Sequence, residues 1–468
     1  AYKWRGAFNC MAALSQEARD KGTVAASAGN HAQGVALAAR VLNCHATIFM
    51  PRSTPEVKQT EVRRHGGRHV KIMLHGDCYD ETAAAAHEYT ETHGCTFVHP
   101  YDDLVTMAGQ GTLADEVVMS GEGPFDRAYV AIGGGGLAAS VACWLKKFWP
   151  RIKVIGVEGI DQASMKTSIE QGRRVNLDYV DVFCDGTAVH IPGELTYPLC
   201  RELVDEFVTV TNNEVCQAIR AMWESSRVVP EPSGAMSLAG FLKQWNRGEV
   251  KPEEKSFVVI SGANMDFTHL TQIARQAGIG NHETRYLRIS MDSKRGQVLK
   301  YLRHIPQDTT LVDVQYGKTE GNTQHPVFGI AASDEDLDTI RTTLKKKGIE
   351  FEDISEDDDV RFRMIHYQPE LCQHPLFVHI EFPERAGAFL DFMERIADLA
   401  SLCYFNYTYT GERVGRALVG MEFDTAEDRE TIRKRMGAFS KNIIRSIREI
   451  SPEAFQRIMG SRQLTGNH

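Results

Sequence analysis

The chain has 468 residues, 42% of them hydrophobic and 25% charged, and its formal net charge is −9. This length predicts two to four domains, and the composition is typical of a globular protein. The negative charge argues against nucleic acid as a partner, and no apolar run approaches the ~20 residues that cross a bilayer. We therefore expect a protein that binds neither nucleic acid nor a membrane.

The cysteines are scattered along the chain, and no two of them stand at C-x-x-C spacing. This distribution argues against a zinc site or a redox motif, so we expect no bound metal. Thiols without a disulfide pattern are typical of a reducing compartment. We therefore expect a cytoplasmic protein.

Strands and helices are predicted to alternate up to about residue 274. Runs rich in β-branched residues predict buried strands at 23–26, 46–50, 69–73, 128–132, 153–157 and 257–260. Segments rich in Ala and Leu, such as 35–41 and 138–148, predict helices between them. This alternation predicts an α/β domain with a mostly parallel sheet, whose ligands gather at the carboxyl ends of its strands.

Beyond a predicted linker at 275–285, the chain repeats itself at an offset of 91 residues. Residues 287–299 align with 378–390, and residues 327–329 align with 418–420. Each copy predicts strand, helix, strand, strand and helix, so we expect two βαββαβ modules. Gly296 and Gly387 stand at the first strand-to-helix turns, where backbone N–H groups could bind an amino-acid carboxylate beside Phe389. The alternative is a duplicated domain without a ligand.

A lysine lies beside aromatic and small residues in the segment A-Y-K-W-R-G-A at residues 1–7. Partial desolvation of Lys3 would lower the pKa of its amine and make it nucleophilic toward an aldehyde. The alternative is an ordinary solvated lysine at the start of a helix.

The segment S-A-G-N-H-A-Q-G at residues 27–34 directly follows the predicted strand 23–26. A small-residue turn between a strand and a helix points several backbone N–H groups at one position, which suits a carboxylate. Asn30 could also form a hydrogen bond with a hydroxyl or a phenolate. The alternative is an ordinary capped helix.

Four consecutive glycines, at residues 133–136, follow the predicted strand 128–132 and precede a predicted helix. A turn without side chains allows backbone N–H groups to surround a phosphate at the helix N-terminus. The segment matches neither the ATP-binding P-loop nor the full dinucleotide pattern G-x-G-x-x-G. Because the acidic Glu158 follows the next predicted strand, a nicotinamide site remains an alternative for this motif alone.

The segment V-V-I-S-G-A-N at residues 258–264 ends another apolar strand. It places Ser261, a neutral hydroxyl residue, at the carboxyl edge of the predicted sheet. The alternative is a simple turn at the end of a strand.

Taken together and in this order, these segments and the duplicated tail resemble the fold-type II pyridoxal-phosphate enzymes, and among them the biosynthetic threonine dehydratases. The resemblance implies an α/β catalytic domain of parallel sheets with helices at 1–274, followed by two α+β ACT-like regulatory modules at 285–366 and 376–450. It implies pyridoxal 5′-phosphate as the cofactor and deamination of L-threonine to 2-oxobutanoate and ammonia, with L-serine as a second candidate substrate. It also implies feedback inhibition by isoleucine, opposed by valine, and assembly as a homotetramer.

The resemblance further implies a role for each motif residue. Lys3 corresponds to the catalytic lysine that forms a Schiff base with the cofactor. Asn30 corresponds to the residue that bonds the ring hydroxyl oxygen, and Ser261 to the partner of the pyridine nitrogen. The phosphate loop corresponds to Gly133, Gly134, Gly135, Gly136 and Leu137. The loop for the substrate carboxylate corresponds to Ser27, Ala28, Gly29, Asn30 and His31.

The chain departs from the family pattern near its start. The family usually has serine two residues before the lysine, where this chain has Ala1, and has a longer segment before that lysine. We therefore expect an N-terminally truncated catalytic domain. The remaining alternatives are a serine racemase or serine dehydratase on the same scaffold, an inactive truncated amino-acid-binding fragment, and a nicotinamide oxidoreductase.

Overall fold

A computed structural model describes residues 1–77, 79–266, 269–280, 284–292, 310–315, 323–325, 327–332, 334–355, 374–383, 392, 395–396, 398–408, 414–451 and 453–454. The chain divides into two compact units, Ala1–Ile273 and Ala274–His468. No helix in the described part of the chain is both long enough and apolar enough to cross a membrane. The exact limits 1–274, 285–366 and 376–450 stay predictions.

The first unit contains two parallel four-stranded sheets, as the alternation of strands and helices predicts. One sheet has the order β3-β2-β1-β4, with strands β1 Thr23–Ala26, β2 Ala46–Met50, β3 Val70–Leu74 and β4 Thr96–Phe97. The other has the order β7-β6-β5-β8, with strands β5 Arg127–Ala131, β6 Lys153–Gly159, β7 Glu206–Val210 and β8 Ser256–Val258. The bounds of β1 and β2 agree with the sequence prediction, whereas β4 and β7 were not predicted.

Helices pack on both sheets and connect their strands. They are α1 Lys3–Ala12, α2 Gln16–Lys21, α3 Asn30–Val41, α4 Glu56–Gly66, α5 Tyr79–His93, α6 Leu104–Met119, α7 Gly136–Phe148, α8 Ser164–Glu170, α9 Thr196–Leu203, α10 Asn212–Ser226, α11 Pro232–Asn246 and α12 His269–Gly280. Short 3₁₀ turns occur at Gly67–His69 and Ile160–Gln162. Each sheet has its own apolar core, one between α1, α3 and strands β1 and β2, the other between α7, β5 and β6.

The predicted linker at 275–285 is wrong for most of its length. Helix α12 continues to Gly280, and strand β9 begins at Thr284. Ile273 and Ala277 are buried at helical spacing, so they give α12 an apolar face that the nearby glycines obscured. A glycine costs a helix only about 1 kcal/mol, which packing of that face can offset.

The second unit contains two antiparallel four-stranded sheets with the same strand order. The first has the order β11-β13-β9-β14, and the second has the order β16-β17-β15-β18. The strands are β9 Thr284–Ile289, β10 Met291–Asp292, β11 Thr310–Gln315, β12 Thr323–Gln324, β13 Val327–Ala331, β14 Phe351–Asp353, β15 Leu376–Pro383, β16 Ser401–Thr408, β17 Val414–Glu422 and β18 Ser446–Glu449. Two helices follow the third strand of their copies, α13 Asp334–Lys346 and α14 Ala426–Gly437. Strands β10 and β12 form a separate antiparallel pair.

The strand registers confirm the sequence repeat. Val327 pairs with Arg288 in the first copy, and the residues 91 positions later, Leu418 and His379, pair in the second. A register shift also recurs at this offset, between 311 and 313 and between 402 and 404. The 91-residue offset holds for the first three strands of each sheet. Before the last strand the second copy has five more residues, because Glu352 and Arg448 occupy equivalent positions in the strand pairing. Gly296, Gly387 and Phe389 lie outside the described residues.

Candidate active site

Three motif segments of the first unit lie at the carboxyl ends of parallel strands. Residues 27–29, the serine turn, connect β1 to α3, and residues 133–136, the glycine turn, connect β5 to the start of α7. Ser261 follows the neighbouring strand β8. Ligands of open α/β folds bind at this edge of the sheet.

Lys3 begins helix α1 and its side chain is half-buried. Its Nζ atom donates a hydrogen bond to the Pro100 carbonyl oxygen at 2.6 Å. The same atom lies 5.2 Å from the ring centre of Tyr2 and 5.8 Å from that of Tyr101. Desolvation lowers the pKa of Lys3 to about 8, as the sequence predicted for a nucleophilic amine.

Helix α3 packs closely on α1 and so fixes the distance between Lys3 and the serine turn. A Cβ atom at Gly34 would lie 3.1 Å from the Trp4 Cα atom and 3.2 Å from the Lys3 carbonyl carbon. Glycine at this position therefore permits the two helices to approach at the level of Lys3.

The serine turn is held by its own hydrogen bonds. The Ser27 backbone N–H donates to the Phe49 carbonyl oxygen at 3.0 Å, and Ser27 Oγ accepts the Gly29 N–H at 3.3 Å. Because Oγ accepts this bond, the Ser27 O–H hydrogen remains available to a ligand. The free N–H groups at the start of α3 add a partial positive charge, which suits a carboxylate.

Asn30 is the first residue of α3, and its amide is paired on one side only. Its Nδ2 atom donates to the Glu231 carboxylate, with distances of 2.8 Å and 3.0 Å to the two oxygens. Asn30 Oδ1 is buried and has no hydrogen-bond partner among the described residues. An unpaired buried amide oxygen is costly, and a bound ligand could supply its partner.

The His31 ring is neutral and turned toward the segment after β4. Its Nε2 atom lies 2.8 Å from the Val98 carbonyl oxygen, so Nε2 carries the hydrogen. Burial and the neighbouring Lys3 lower the pKa of His31 to about 3. Nδ1 then holds a lone pair, which would repel a carboxylate. Any contact of His31 with a substrate carboxylate is therefore expected through its backbone N–H.

The glycine turn has no space for side chains. A Cβ atom at Gly134 would lie 2.4 Å from the Tyr101 ring, and one at Gly133 would lie 2.9 Å from Thr187 Cα. Gly135 has a φ of 95°, a left-handed conformation that favours glycine. The turn leads into α7, whose first N–H groups have no partner within the helix and suit a phosphate.

Ser261 is buried and is tied to the segment that carries Lys3. The Tyr2 backbone N–H donates to the Ser261 carbonyl oxygen at 3.0 Å. The next residue, Gly262, accepts the Glu231 backbone N–H at 3.1 Å. The structure thus joins the Lys3 segment to Ser261 through Tyr2, and joins Asn30 to the end of β8 through Glu231.

Comparison with known proteins identifies the family. Residues 1–262 match the family described as pyridoxal-phosphate dependent enzyme, and residues 372–445 match the C-terminal regulatory domain of threonine dehydratase. The chain is 36% identical over 436 residues to the biosynthetic L-threonine dehydratase IlvA of Burkholderia multivorans, covering 92% of this chain and 85% of that protein. It is 34% identical to the Escherichia coli IlvA protein, covering 93% and 85%. The chain belongs to the biosynthetic threonine dehydratases.

Solved structures of related enzymes share the fold of more than half of the chain. The processed form of threonine deaminase isoform 2 from Solanum lycopersicum is 42% identical with a TM-score of 0.57, covering 59% of this chain and 80% of that chain. Serine racemase from Dictyostelium discoideum is 30% identical with a TM-score of 0.53, covering 57% and 84%. The fold-type II catalytic domain followed by a regulatory region is therefore confirmed.

Glu158 is not part of a nicotinamide site. Membership of the threonine dehydratase family also excludes that alternative. Its carboxylate oxygens accept the backbone N–H groups of Met165 and Lys166, each at 2.9 Å, and so cap helix α8. The side chain is buried, and this desolvation raises the pKa of Glu158 to about 8. The carboxylate oxygens are thus occupied by hydrogen bonds at the start of α8. In a nicotinamide site they would have to accept hydrogen bonds from a ribose.

The residues present fit the pyridoxal phosphate of the threonine dehydratase family. The glycine turn offers bare N–H groups, Lys3 offers an amine of lowered pKa, and Asn30 Oδ1 is a buried polar atom without a partner among the described residues. Ser261 adds a hydroxyl at the same edge of the sheet. These groups match the phosphate, the aldehyde and the polar ring atoms of that cofactor.

The sequence analysis missed the segment after β4, which supports the site. Pro100 accepts the Lys3 hydrogen bond, and the Tyr101 ring packs against the glycine turn. The Asp102 carboxylate accepts the N–H groups of Glu194, Leu195 and Thr196 at 2.7–3.2 Å. The acidic pair Asp102 and Asp103 in H-P-Y-D-D was an available signal, since helix-capping carboxylates cluster at such turns.

Proposed function

We propose that the chain is a threonine ammonia-lyase that converts L-threonine to 2-oxobutanoate and ammonia. The observation that supports this most is Lys3, whose amine has a lowered pKa and lies 5.8 Å from the centre of the Tyr101 ring, which packs against the glycine turn. Several relatives that match nearly all of the chain carry the name threonine dehydratase. L-Serine is the second candidate substrate, since serine racemase shares the fold.

Each motif residue then has a proposed binding role. The N–H groups of Gly133, Gly134, Gly135, Gly136 and Leu137 bind the cofactor phosphate at the start of α7. Asn30 bonds the ring hydroxyl oxygen, and Ser261 contacts the pyridine nitrogen. Ser27, Ala28 and Gly29, with the backbone N–H groups of Asn30 and His31, hold the substrate carboxylate. This fixed arrangement orients the reacting bonds before chemistry begins.

Lys3 has two tasks in the proposed reaction. Its amine would hold the cofactor by the aldehyde carbon, and the same amine, when unbound, would act as the base that removes the proton from the substrate Cα atom. A pKa of about 8 leaves a useful fraction of Lys3 unprotonated near neutral pH, which general-base catalysis requires. Pyridoxal phosphate, when bound, supplies the electron sink that makes this proton acidic.

Ser261 influences which reaction follows. Because its hydroxyl carries no charge, Ser261 does not hold the pyridine nitrogen in the protonated form as a carboxylate would. With Ser261 in this place the bound cofactor would be a weaker electron sink, and net loss of the Cα proton and the β-hydroxyl of threonine as water would be favoured over racemisation. The serine turn keeps the substrate carboxylate fixed during this step.

Purified protein loaded with pyridoxal phosphate tests this function directly. We expect 2-oxobutanoate and ammonia in equal amounts from L-threonine, and a lower kcat/KM for L-serine. Borohydride should fix the cofactor on Lys3. Turnover of serine to pyruvate or D-serine with no reaction of threonine would contradict the proposal.

We further propose that the second unit binds isoleucine as an inhibitor, with valine opposing it. The match of residues 372–445 to the regulatory domain of threonine dehydratase supports a regulatory role. Allosteric coupling is usually about 1–3 kcal/mol, which changes affinity roughly 5- to 150-fold. Isoleucine should lower the rate at sub-saturating threonine and release heat in calorimetry. A flat response in both measurements would contradict regulation by isoleucine.

We also propose that the enzyme is a homotetramer in the cytoplasm. The tetramer follows from the family resemblance, and light scattering of the purified protein tests it. The location is supported by the bacterial relatives, although two other relatives are named as mitochondrial. Fractionation of cells that express the protein naturally tests the location.

A further inference from the structure

Glu231 is a buried carboxyl group that the proposed reaction does not use. It precedes helix α11 at the N-cap position, yet its side chain makes no capping bond to that helix. Its two oxygens instead lie 2.8 Å and 3.0 Å from Asn30 Nδ2, across 201 residues of sequence. A carboxylate at a helix start normally binds the helix N–H groups, so this orientation indicates another use.

The surrounding backbone fits closely around this carboxyl group. A Cβ atom at Gly262 would lie 2.3 Å from Glu231 Oε1, and one at Gly234 would lie 2.2 Å from the Gly262 carbonyl oxygen. The nearby Asn264 backbone N–H lowers the pKa of this carboxyl group. Glu231 is therefore held between the turn that carries Ser261 and the amide of Asn30.

The proton on this carboxyl group decides what Asn30 can present to a ligand. An ionised Glu231 only accepts hydrogen bonds, so it fixes one Asn30 N–H and leaves the second N–H for a phenolate oxygen. A protonated Glu231 can donate to Asn30 Oδ1, which is buried without a partner in the described structure. The two proton states thus favour two orientations of one amide.

We propose that Glu231 is a positioning residue for the cofactor ring, which acts by orienting the Asn30 amide toward the ring hydroxyl oxygen. This inference rests on the proposed cofactor site and goes beyond it, because Glu231 itself is assigned no contact with cofactor or substrate. The ionised form directs an Asn30 N–H to the ring oxygen and favours its phenolate state. The protonated form favours the opposite orientation, in which Asn30 Oδ1 accepts the Glu231 hydrogen.

The charges and burial around Glu231 cause its proton state to change near neutral pH. Desolvation raises the pKa of Glu231 to about 7, while the Asn30 hydrogen bond lowers it. The titratable groups that face Glu231 include Asp185, whose charge also raises the pKa, and Tyr2. Glu231 is therefore ionised above about pH 7 and protonated below it.

The absorbance spectrum of the loaded protein, recorded between about pH 6 and pH 8, tests the proposal around the midpoint of about 7. We expect the band of the lysine-bound cofactor to change with pH in the wild type. In Glu231→Gln this transition should be lost. Its cofactor affinity should stay within about 10-fold of the wild type, since glutamine keeps a hydrogen bond to Asn30.

Two further variants separate positioning from a general structural role. Asn30→Ala should also lose the transition, because the path from Glu231 to the ring is removed. Glu158→Gln is the matched control, since Glu158 is another buried carboxyl of raised pKa that contacts the start of α8 and not Asn30. It should keep the wild-type transition. If Glu231→Gln does not fold, Asn30→Ala carries the test.

Three results would overturn the proposal. They are a wild-type spectrum that is constant over this pH range, a transition that persists in Glu231→Gln, and one that persists in Asn30→Ala. Borohydride fixation on Lys3 is measured in every variant, so that loss of the cofactor is distinguished from loss of the transition. A wild type that binds no cofactor on Lys3 would overturn this inference and the proposed function together.

Discussion

The serine turn and the glycine turn have the same backbone plan but different side chains. Each follows a buried parallel strand, β1 or β5, and each leads into the N-terminus of a helix, α3 or α7. The serine turn carries a hydroxyl and is followed by the Asn30 amide, whereas the glycine turn carries no side chain. The shared plan provides N–H groups for an anion, and the side chains determine which anion fits.

The two turns also differ in what limits their shape. Ser27 Oγ accepts the Gly29 N–H, so the serine turn is stabilised from within. The shape of the glycine turn is instead limited by its neighbours Tyr101, Thr187 and Met165, which lie too close for a Cβ atom on any glycine they contact. We therefore expect changes in the serine turn to affect the substrate, and changes in the glycine turn to affect the cofactor.

The largest effect is expected at Lys3, whose helix packs on the helix that follows the serine turn. Lys3→Ala should reduce turnover below detection and abolish borohydride fixation of the cofactor, because nucleophile and base are both lost. Peptide mapping by mass spectrometry after borohydride treatment measures this. Lys21→Ala is the control, since Lys21 is an exposed residue of α2 paired with Glu17. Fixation on a lysine other than Lys3 would contradict the assignment.

The next largest effect is expected in the glycine turn. Gly135→Ala should weaken cofactor binding roughly 5- to 150-fold, because the added Cβ forces the turn out of its position and holding the turn in place for the phosphate then costs about 1–3 kcal/mol. Its Cβ would lie 2.6 Å from Met165 Cε and 2.8 Å from Thr196 Oγ1. The cofactor Kd, measured by fluorescence titration, checks this.

Gly121→Ala is the control for that experiment. It separates the effect of backbone strain from the effect of a position within the glycine turn. Gly121 has a φ of 75° and no atom within 4 Å of an added Cβ. This variant should lose only about 1–2 kcal/mol of unfolding free energy, with an unchanged cofactor Kd. Equal cofactor loss in both variants would show that the glycine turn has no special link to the phosphate.

A change in the serine turn is expected to weaken substrate binding and not cofactor binding. Ser27→Ala should raise KM for threonine roughly 10-fold, because a hydrogen bond to a charged group contributes at least about 1.5 kcal/mol. The cofactor Kd should change little. Ser27→Thr keeps the hydroxyl and should restore most of the affinity. A cofactor Kd that rises as much as KM would remove the distinction between the two turns.

The sequence predicted the turns because each lies next to a strongly apolar strand. β1 and β2 were predicted with their observed bounds, since each is an unbroken run of mostly apolar residues that includes β-branched ones. β4 spans only Thr96–Phe97 and gives no such run, so the segment with Tyr101 was missed. In the tail, the 91-residue offset predicted registers that the two sheets share.

Long-range partners were the main part of the site that the sequence could not predict. Glu231 meets Asn30 across 201 residues, and no local pattern encodes such a pair. One signal was present, since glutamate is an uncommon N-cap residue and here directly precedes a helix-starting proline. The assumed linker at 275–285 failed for the opposite reason, because local glycines were given more weight than the buried face of α12.

The smallest effect is expected at Thr196, which supports the glycine turn from behind. Thr196 Oγ1 donates a hydrogen bond to the Gly134 carbonyl oxygen, and both atoms are buried. Thr196→Val keeps the shape and removes the donor, so Gly134 O is left with the Gly193 N–H at 3.3 Å. A net hydrogen bond contributes about 0.5–1.5 kcal/mol, which predicts a cofactor Kd raised roughly 2- to 12-fold. Thr196→Ser retains the donor and should bind the cofactor like the wild type. If the threonine KM rises in Thr196→Val while the cofactor Kd stays constant, the glycine turn serves the substrate and the division between the two turns is wrong.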